Sequence, residues 1–349
     1  MTDSGIETHG GKTPERADAA VNRPKRLGVL GTMVWDQIYP AGEDEKPVSE
    51  WGGISYAMEA LSVVLPDGWE MKPILKLGED LYDRATAYLG TIPKVALGPS
   101  LLQVPDRSYR VELRYLDQWQ RRERLSGDVP PWTWSELEPH LEDLDALYLN
   151  FITGLEMGVE AARHLPDRVQ APLYADLHSL FQGITEDGQR FPCELSDWEI
   201  WLRSFDAVQM NEVEFELLGR AFGDPWALAE SNVGNALKLL IVTMGPKGAG
   251  FVRAPEFGDG PASWPGARKG EKAAGANRTG TVPQAGEIDS GDPTGCGDVW
   301  GATFFARLLG GDSLESAMTK ANRLAAKKVE HSGARGLRHH LGEVPAPEG

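Results

Sequence analysis

Asp292-Pro293-Thr294-Gly295-Cys296-Gly297-Asp298 runs directly into an apolar helical segment, Val299 to Leu309. Three small residues and then an acid open this helix. Small residues bare their backbone N–H groups, and a helix N-terminus adds partial positive charge. Together they form a pocket for an anion, and a phosphate in transfer suits it best. Asp298 is the odd member, because a carboxylate beside a phosphate pocket repels the ligand. Its place makes sense if it takes a proton from an attacking hydroxyl while the amides hold the phosphoryl group. Read alone, the stretch fits equally a Gly-rich turn whose Asp caps a helix, so its context has to decide.

Just upstream, residues 254–291 hold eight glycines, four prolines and few large apolar side chains. So long a stretch without periodicity reads as a mobile flap leading into the anion pocket. Before it the pattern alternates between strand and helix. Ser135-Glu136-Leu137-Glu138 fits a capping box. Buried strands are then expected at Ala146–Phe151, Pro172–Asp176, Ala207–Met210 and Leu239–Thr243, with another beginning at Ala249. Such alternation implies a mostly parallel sheet wrapped by helices. Asp176 ends one of these strands, where ligand sites of open α/β sheets collect, although a loop-bonding role fits as well.

Nearer the N-terminus, Leu27–Val34 reads as a first buried strand leading to Asp36, and Trp51-Gly52-Gly53 opens a helix through Leu65. Met71–Leu77 is a second strand and Asp80–Leu89 a helix. Tyr109 to Tyr115 alternates apolar and charged residues, the mark of a strand with one wet face. With a partner at Gln120–Leu125 it forms a small antiparallel lid, roughly 107–126. After Asp298 two helices, about 298–309 and 313–331, close the domain. The expected organisation is a polar disordered tail at 1–24, one domain at 25–338 and a frayed end at 339–349. Gly10-Gly11-Lys12-Thr13 ends like a P-loop, but Ile6 stands where that motif needs glycine.

The chain has 349 residues, is 41% hydrophobic and carries a net charge of −17. That charge argues against nucleic-acid or anionic-membrane binding, which wants a basic face. No apolar run reaches the roughly 20 residues that span a bilayer, and Met1–Arg26 lacks the apolar core of a secretory signal. Cys193 and Cys296 are far apart in sequence, which excludes a CxxC zinc or redox pair and suits a reducing cytoplasm.

Four elements in order now resemble the ribokinase-like, or PfkB-type, carbohydrate kinases, from about Leu27 to Leu337. Asp292–Asp298 follows the family's Asp-Thr-x-Gly-Ala-Gly-Asp signature, with Pro293 and Cys296 substituted. Asn211-Glu212-Val213-Glu214 matches an Asn-x-x-Glu element, and Val242-Thr243-Met244-Gly245-Pro246-Lys247-Gly248 a nucleotide-side pattern. Gly52-Gly53 and Asp36 match the N-terminal substrate elements. The resemblance implies a three-layer α/β/α sandwich with a mostly parallel central sheet and a small antiparallel β lid. It implies transfer of the γ-phosphoryl of ATP to an alcohol, with Mg²⁺. Carried over, Asp298 is the catalytic base and the amides of Gly295, Cys296 and Gly297 the anion hole. Asn211 and Glu214 order Mg²⁺ and its waters, and Asn211 also reaches the nucleotide. Thr243, Gly245 and Gly248 line the nucleotide site, while Asp36, Gly52 and Gly53 hold substrate hydroxyls. A monovalent cation is implied near Asp289–Thr294, and a homodimer burying lid edges.

Each element has a plain structural reading too. Asn211 and Glu214 fit a helix N-cap with its partner, Asp36 a strand end, and Gly52-Gly53 a simple turn. Similar kinases usually place an Asn shortly after the Gly-Gly pair, where this chain has Ala57 preceded by Tyr56. That departure bears on substrate identity more than on reaction type. The competing functions are a non-catalytic nucleotide or sugar sensor on the same fold, and a dinucleotide oxidoreductase. The latter lacks GxGxxG after its first strand.

Overall fold

Strands of continuous apolar residues cannot show a face to water, and this protein stacks them at its centre. The structure, a computed structural model, describes residues 23–39, 47–115, 121–220, 222–234, 236–255, 257–258, 260–268, 275–284 and 291–342. In chain order the strands are β1 (Lys25–Leu30), β2 (Met33–Tyr39), β3 (Val48–Gly53), β4 (Trp69–Gly78), β5 (Leu101–Val104), β6 (Arg110–Tyr115), β7 (Arg121–Ser126) and β8 (Ala146–Asn150). They continue as β9 (Leu173–Asp176), β10 (Gln182–Ile184), β11 (Arg190–Pro192), β12 (Ala207–Asn211), β13 (Leu239–Thr243), β14 (Ala249–Arg253) and β15 (Arg278–Val282). The main sheet has the order β15-β14-β13-β12-β9-β8-β1-β4-β5. All its pairings from β13 to β5 are parallel, and only β14 and β15 run antiparallel to their neighbours. Two apolar layers cover its faces, one built on the helices Ile54–Val64, Cys296–Leu309 and Leu314–Val329, the other on Val159–Arg168 and Trp198–Arg203. This is the expected α/β/α sandwich.

A four-stranded sheet, β3-β2-β6-β7, forms the lid. Its outer pairings are antiparallel, but β2 and β6 run parallel. On one face Val34, Tyr109, Val111, Leu113, Leu125 and Val129 make a small separate core. That accounts for the alternation read along β6. The β10–β11 hairpin meets the outer edge of β7, where Leu125 N–H donates to Gly188 O at 2.8 Å, so part of this edge is covered within the chain.

Some expectations need correction. The first strand is two: Gly31-Thr32 breaks it, and β2 leaves the main sheet for the lid. At Gly31 the chain passes Ile54 and the Asn150 carbonyl so closely that a Cβ would lie 2.8 Å from one and 3.1 Å from the other. The capping box forms on Thr133 and Glu136 rather than on Ser135 and Glu138. The residues read as a flap hold regular structure in part. β15 joins the main sheet, Trp264 is buried, and the Arg268 guanidinium forms a buried ion pair with Asp206. Residues 269–274 and 285–290 of that stretch lie outside the described residues. At the C-terminal end, residues 339–342 belong to the helix Leu337–Gly342, with Leu337 and Leu341 buried, so they are packed rather than frayed. The tail read at 1–24 falls almost wholly outside the described residues.

Candidate active site

Parallel strands put their carboxyl ends on one side, and the site assembles there. Asn150 ends β8, Asp176 ends β9 and pairs with it, and Asn211 ends β12 opposite Thr243 on β13. Over these ends lies the turn into the helix Cys296–Leu309. Gly295 is its N-cap in the left-handed region, φ 81°. A Cβ at Gly295 would come within 2.4 Å of the Tyr56 ring, so glycine is required both by conformation and by space. Thr294 N–H donates to Asp292 Oδ1 at 2.9 Å, and Cys296 N–H to Pro293 O at 3.1 Å. The Cys296 amide is therefore already engaged in closing the turn.

Asp298 follows in the first helical turn, where the amides have no carbonyl four residues back. Asn150 Nδ2 donates to its Oδ1 at 2.6 Å. Burial raises the Asp298 carboxyl above its ordinary value, against the opposing pull of His178, the Asn150 hydrogen bond and Lys328. A second chain of bonds supports the turn from below. Gln209 Nε2 donates to Asp176 Oδ2 at 2.8 Å and to Gly297 O at 3.2 Å. Burial lifts Asp176 to about 8, while His178 opposes and the charges of Glu214 and Asp298 add.

Asn211 and Glu214 form the reciprocal cap their spacing allows. Glu214 N–H donates to Asn211 Oδ1 at 3.0 Å and Asn211 N–H to Glu214 Oε2 at 2.7 Å. His178 Nδ1 completes the set on Glu214 Oε1. Burial works to lower the His178 pKa, but the charge and hydrogen bond of Glu214 prevail and raise it to about 9. Gly245 and Gly248, with φ 54° and 94°, shape the tight connection from β13 to β14, and Lys247 pairs with Glu212 beside it.

On the lid side Asp36 is buried on β2, and its carboxylate fills the space that a side chain at Gly52 would take, 1.8 Å from a Cβ there. Gly53, φ 59°, caps the helix Ile54–Val64. Tyr56 links the two halves. Asp36, Asp292, Glu50 and Asp298 all raise its pKa beyond what burial alone does. Its hydroxyl is buried with no hydrogen-bond partner among the described residues. From the lid, Tyr115 OH reaches Asp292 Oδ1 at 3.2 Å and Thr294 Oγ1 at 3.0 Å, tying β6 to the Asp292–Asp298 turn.

With that geometry in view, residues 194–340 match the family model of the pfkB family carbohydrate kinases, the part of the chain that carries Asn211 to Asp298. Ribokinase from Thermotoga maritima superposes with TM-score 0.66 at 20% identity, over 91% of this chain and 98% of that one. The fold is that of the ribokinase family. A nucleoside kinase from Burkholderia thailandensis in complex with inosine gives TM-score 0.63 at 18% identity, over 90% and 95% of the two chains. A pyrophosphate-dependent kinase of the ribokinase family, complexed with a pyrophosphate analog and myo-inositol, gives 0.65 at 18%, over 91% and 100%. No curated protein sequence matches.

The sequence marks both members of the Asn211–Glu214 pair, but for Asp298, Asp176 and Asp292 it marks the acid and not the residue that bonds it. No spacing rule marks His178 or Tyr115, whereas Asn150, a polar residue ending an apolar strand, and Gln209, a polar residue within one, are readable signs. Among the described residues no group of three His, Cys, Asp or Glu could hold a metal, and no helix is long and apolar enough to cross a membrane. Both Glu214 oxygens accept protein hydrogen bonds, so Mg²⁺ fits here only through water and donor phosphates. A monovalent cation does not fit the described part of its segment, 291–294, because a lysine ammonium already bonds Asp292.

Proposed function

We propose that this protein is a kinase moving the γ-phosphoryl of Mg-ATP to a hydroxyl of a sugar or sugar-containing small molecule, with Asp298 as general base. The observation that carries it is the Asp298 carboxylate, oriented by Asn150 beside the amides of a helix N-terminus. The match to pfkB kinases over 194–340 supports the reaction class. In this reading the amides of Gly295 and Gly297, with Cys296 sharing, stabilise the transferring phosphoryl group. Asp298 receives the acceptor proton late, since the transition state is loose and catalysis rests on positioning and charge neutralisation. Mg²⁺ supplies charge neutralisation between the phosphates, and Asn211 and Glu214 would hold its waters. Thr243, Gly245 and Gly248 line the nucleotide side, and Asp36 with Gly52 and Gly53 holds acceptor hydroxyls. We place the protein in the cytoplasm, from its cysteine usage.

A second donor follows from a specific likeness. The pyrophosphate-dependent neighbour is as similar as the nucleoside kinase, so pyrophosphate is the alternative to ATP. Phosphoryl transfer from each donor to a panel of sugars, polyols and nucleosides tests the proposal. Product formation that collapses in Asp298→Asn supports it, and no transfer to any acceptor from either donor refutes it.

A further inference from the structure

Lys328 is a wholly buried charge beside the Asp292–Asp298 turn that the proposed reaction leaves unused. It stands in the last turn of the helix Leu314–Val329 and is fully buried. Lysines are almost never buried whole unless their charge is paired. Its Nζ donates to Asp292 O at 3.1 Å and meets Asp292 Oδ2 at 3.5 Å. The same ammonium lies 5.3 Å from the ring centroid of Tyr56, within cation–π range. Glu50 completes the surroundings: burial and then Asp292 raise its carboxyl to about 7, with Lys328 and Arg335 opposing. A carbonyl, a carboxylate and an aromatic face surround the ammonium as they would a bound cation, with Glu50 near enough to act on it electrostatically. Here the chain supplies the cation itself.

The cage acts on the turn that binds the anion. Asp292 N–H donates to Val329 O at 2.9 Å, and Gly291 is pressed so close that a Cβ there would lie 2.1 Å from the same oxygen. One helix end thus holds Asp292 by its amide, its carbonyl and its carboxylate. Three residues on, Tyr56 packs beneath Gly295 with Lys328 on its ring. The carboxylates of Asp36, Glu50, Asp292 and Asp298 converge on Tyr56 and would repel a polyphosphate donor. A buried ammonium among them offsets that repulsion.

We propose that the Lys328 ammonium is a built-in monovalent cation that holds the Asp292–Asp298 turn in its anion-binding form, so that phosphoryl transfer needs no added potassium or ammonium ion. The inference rests on the kinase reading of this turn, and Lys328 is in it a positioning residue that touches neither donor nor acceptor. The test compares wild type, Lys328→Ala and Lys328→Met in choline, sodium, potassium and ammonium chloride at equal ionic strength. Melting temperature is read without ligand, and kcat and KM with the best donor and acceptor. Wild type is expected to melt and turn over alike in all four salts. In choline Lys328→Ala loses about 10²-fold in kcat, the scale of a roughly 1 Å misplacement, and potassium or ammonium restores about tenfold of it with saturation. Its melting temperature rises with the same two ions. Lys328→Met, which fills the space without charge, loses as much and is not rescued.

Stimulation of wild type by potassium overturns the proposal, as does an Ala variant with no ion-specific response in either readout. A Met variant that is less stable but keeps its kcat assigns the lysine to folding alone and overturns it too. The melting temperatures need no turnover, so they report on the cage separately. A wild type inactive with every donor and acceptor, yet with the expected melting behaviour, refutes the kinase reading and spares the cation site.

Discussion

Replacing Gly295 by alanine tests whether the turn is built as described. The left-handed conformation at φ 81° costs an L-residue about 1–2 kcal/mol. The added Cβ meets the Tyr56 ring at 2.4 Å, and Tyr56 is buried with Lys328 over it and cannot swing away. Overpacking of that kind costs about 1–3 kcal/mol, so Gly295→Ala is expected to lose about 2–5 kcal/mol in all. If the turn moves instead to relieve the clash, the amides leave the phosphoryl position and kcat falls about 10²-fold. Gly297→Ala is the control, because its Cβ meets nothing closer than 3.9 Å and lies within the helix. Urea unfolding of both variants, paired with initial rates, separates the two routes. A double mutant with Tyr56→Ser should recover the packing part and leave the backbone part. A Gly295→Ala protein with stability within about 0.5 kcal/mol of wild type and an unchanged kcat refutes the close approach and the strained cap together.

Three further outcomes follow from the site. Asn150→Ala removes the hydrogen bond that lowers the Asp298 carboxyl, so the acid limb of kcat/KM should move to higher pH, with about 1–3 kcal/mol of stability lost; an unmoved limb in a pH–rate profile contradicts the contact. Tyr115→Phe cuts the lid from Asp292 and Thr294, and acceptor KM should rise about 2- to 10-fold with kcat little changed, as steady-state kinetics will read. Glu50 has a folded pKa of about 7 against 4.5, so between those values the folded state holds a proton the unfolded state has released, and stability falls as pH rises through the window. The loss is on the order of 2 kcal/mol for this half-buried group, and Glu50→Gln should flatten the chemical-denaturation profile there; an equally sloped variant refutes the assignment.

Much of this was legible in the sequence because its signals are local. Continuous apolar runs mark the buried strands, strict alternation marks β6, and a glycine-flanked run marks the turn that opens the helix Cys296–Leu309. What escaped was set by contacts across the chain. Nothing beside Leu27–Val34 says that Gly31 must pass the Asn150 carbonyl, yet that approach splits the strand between two sheets. Residues 254–291 are rich in glycine and proline, but Trp264 finds a core and Arg268 finds Asp206, which composition cannot reveal. Asn211 and Glu214 allowed a structural and a functional reading, and the capping box between them is formed. Their third partner, His178, is 36 residues from Glu214, too distant for any spacing rule. Nothing in the sequence separates Lys328 from Lys320 and Lys327 on the same helix; only its burial does.

The central claim is that Asp298 accepts the proton of a hydroxyl as it is phosphorylated at this turn. Phosphorus NMR of wild type and Asp298→Asn, each given Mg-ATP and the acceptor panel, measures it most directly, with donor affinity read by calorimetry in parallel. The account predicts a phosphomonoester signal that grows with donor loss in wild type. It predicts one at least about 10²-fold slower in Asp298→Asn at near-equal donor affinity. An Asp298→Asn protein that forms the phosphomonoester at the wild-type rate would contradict it.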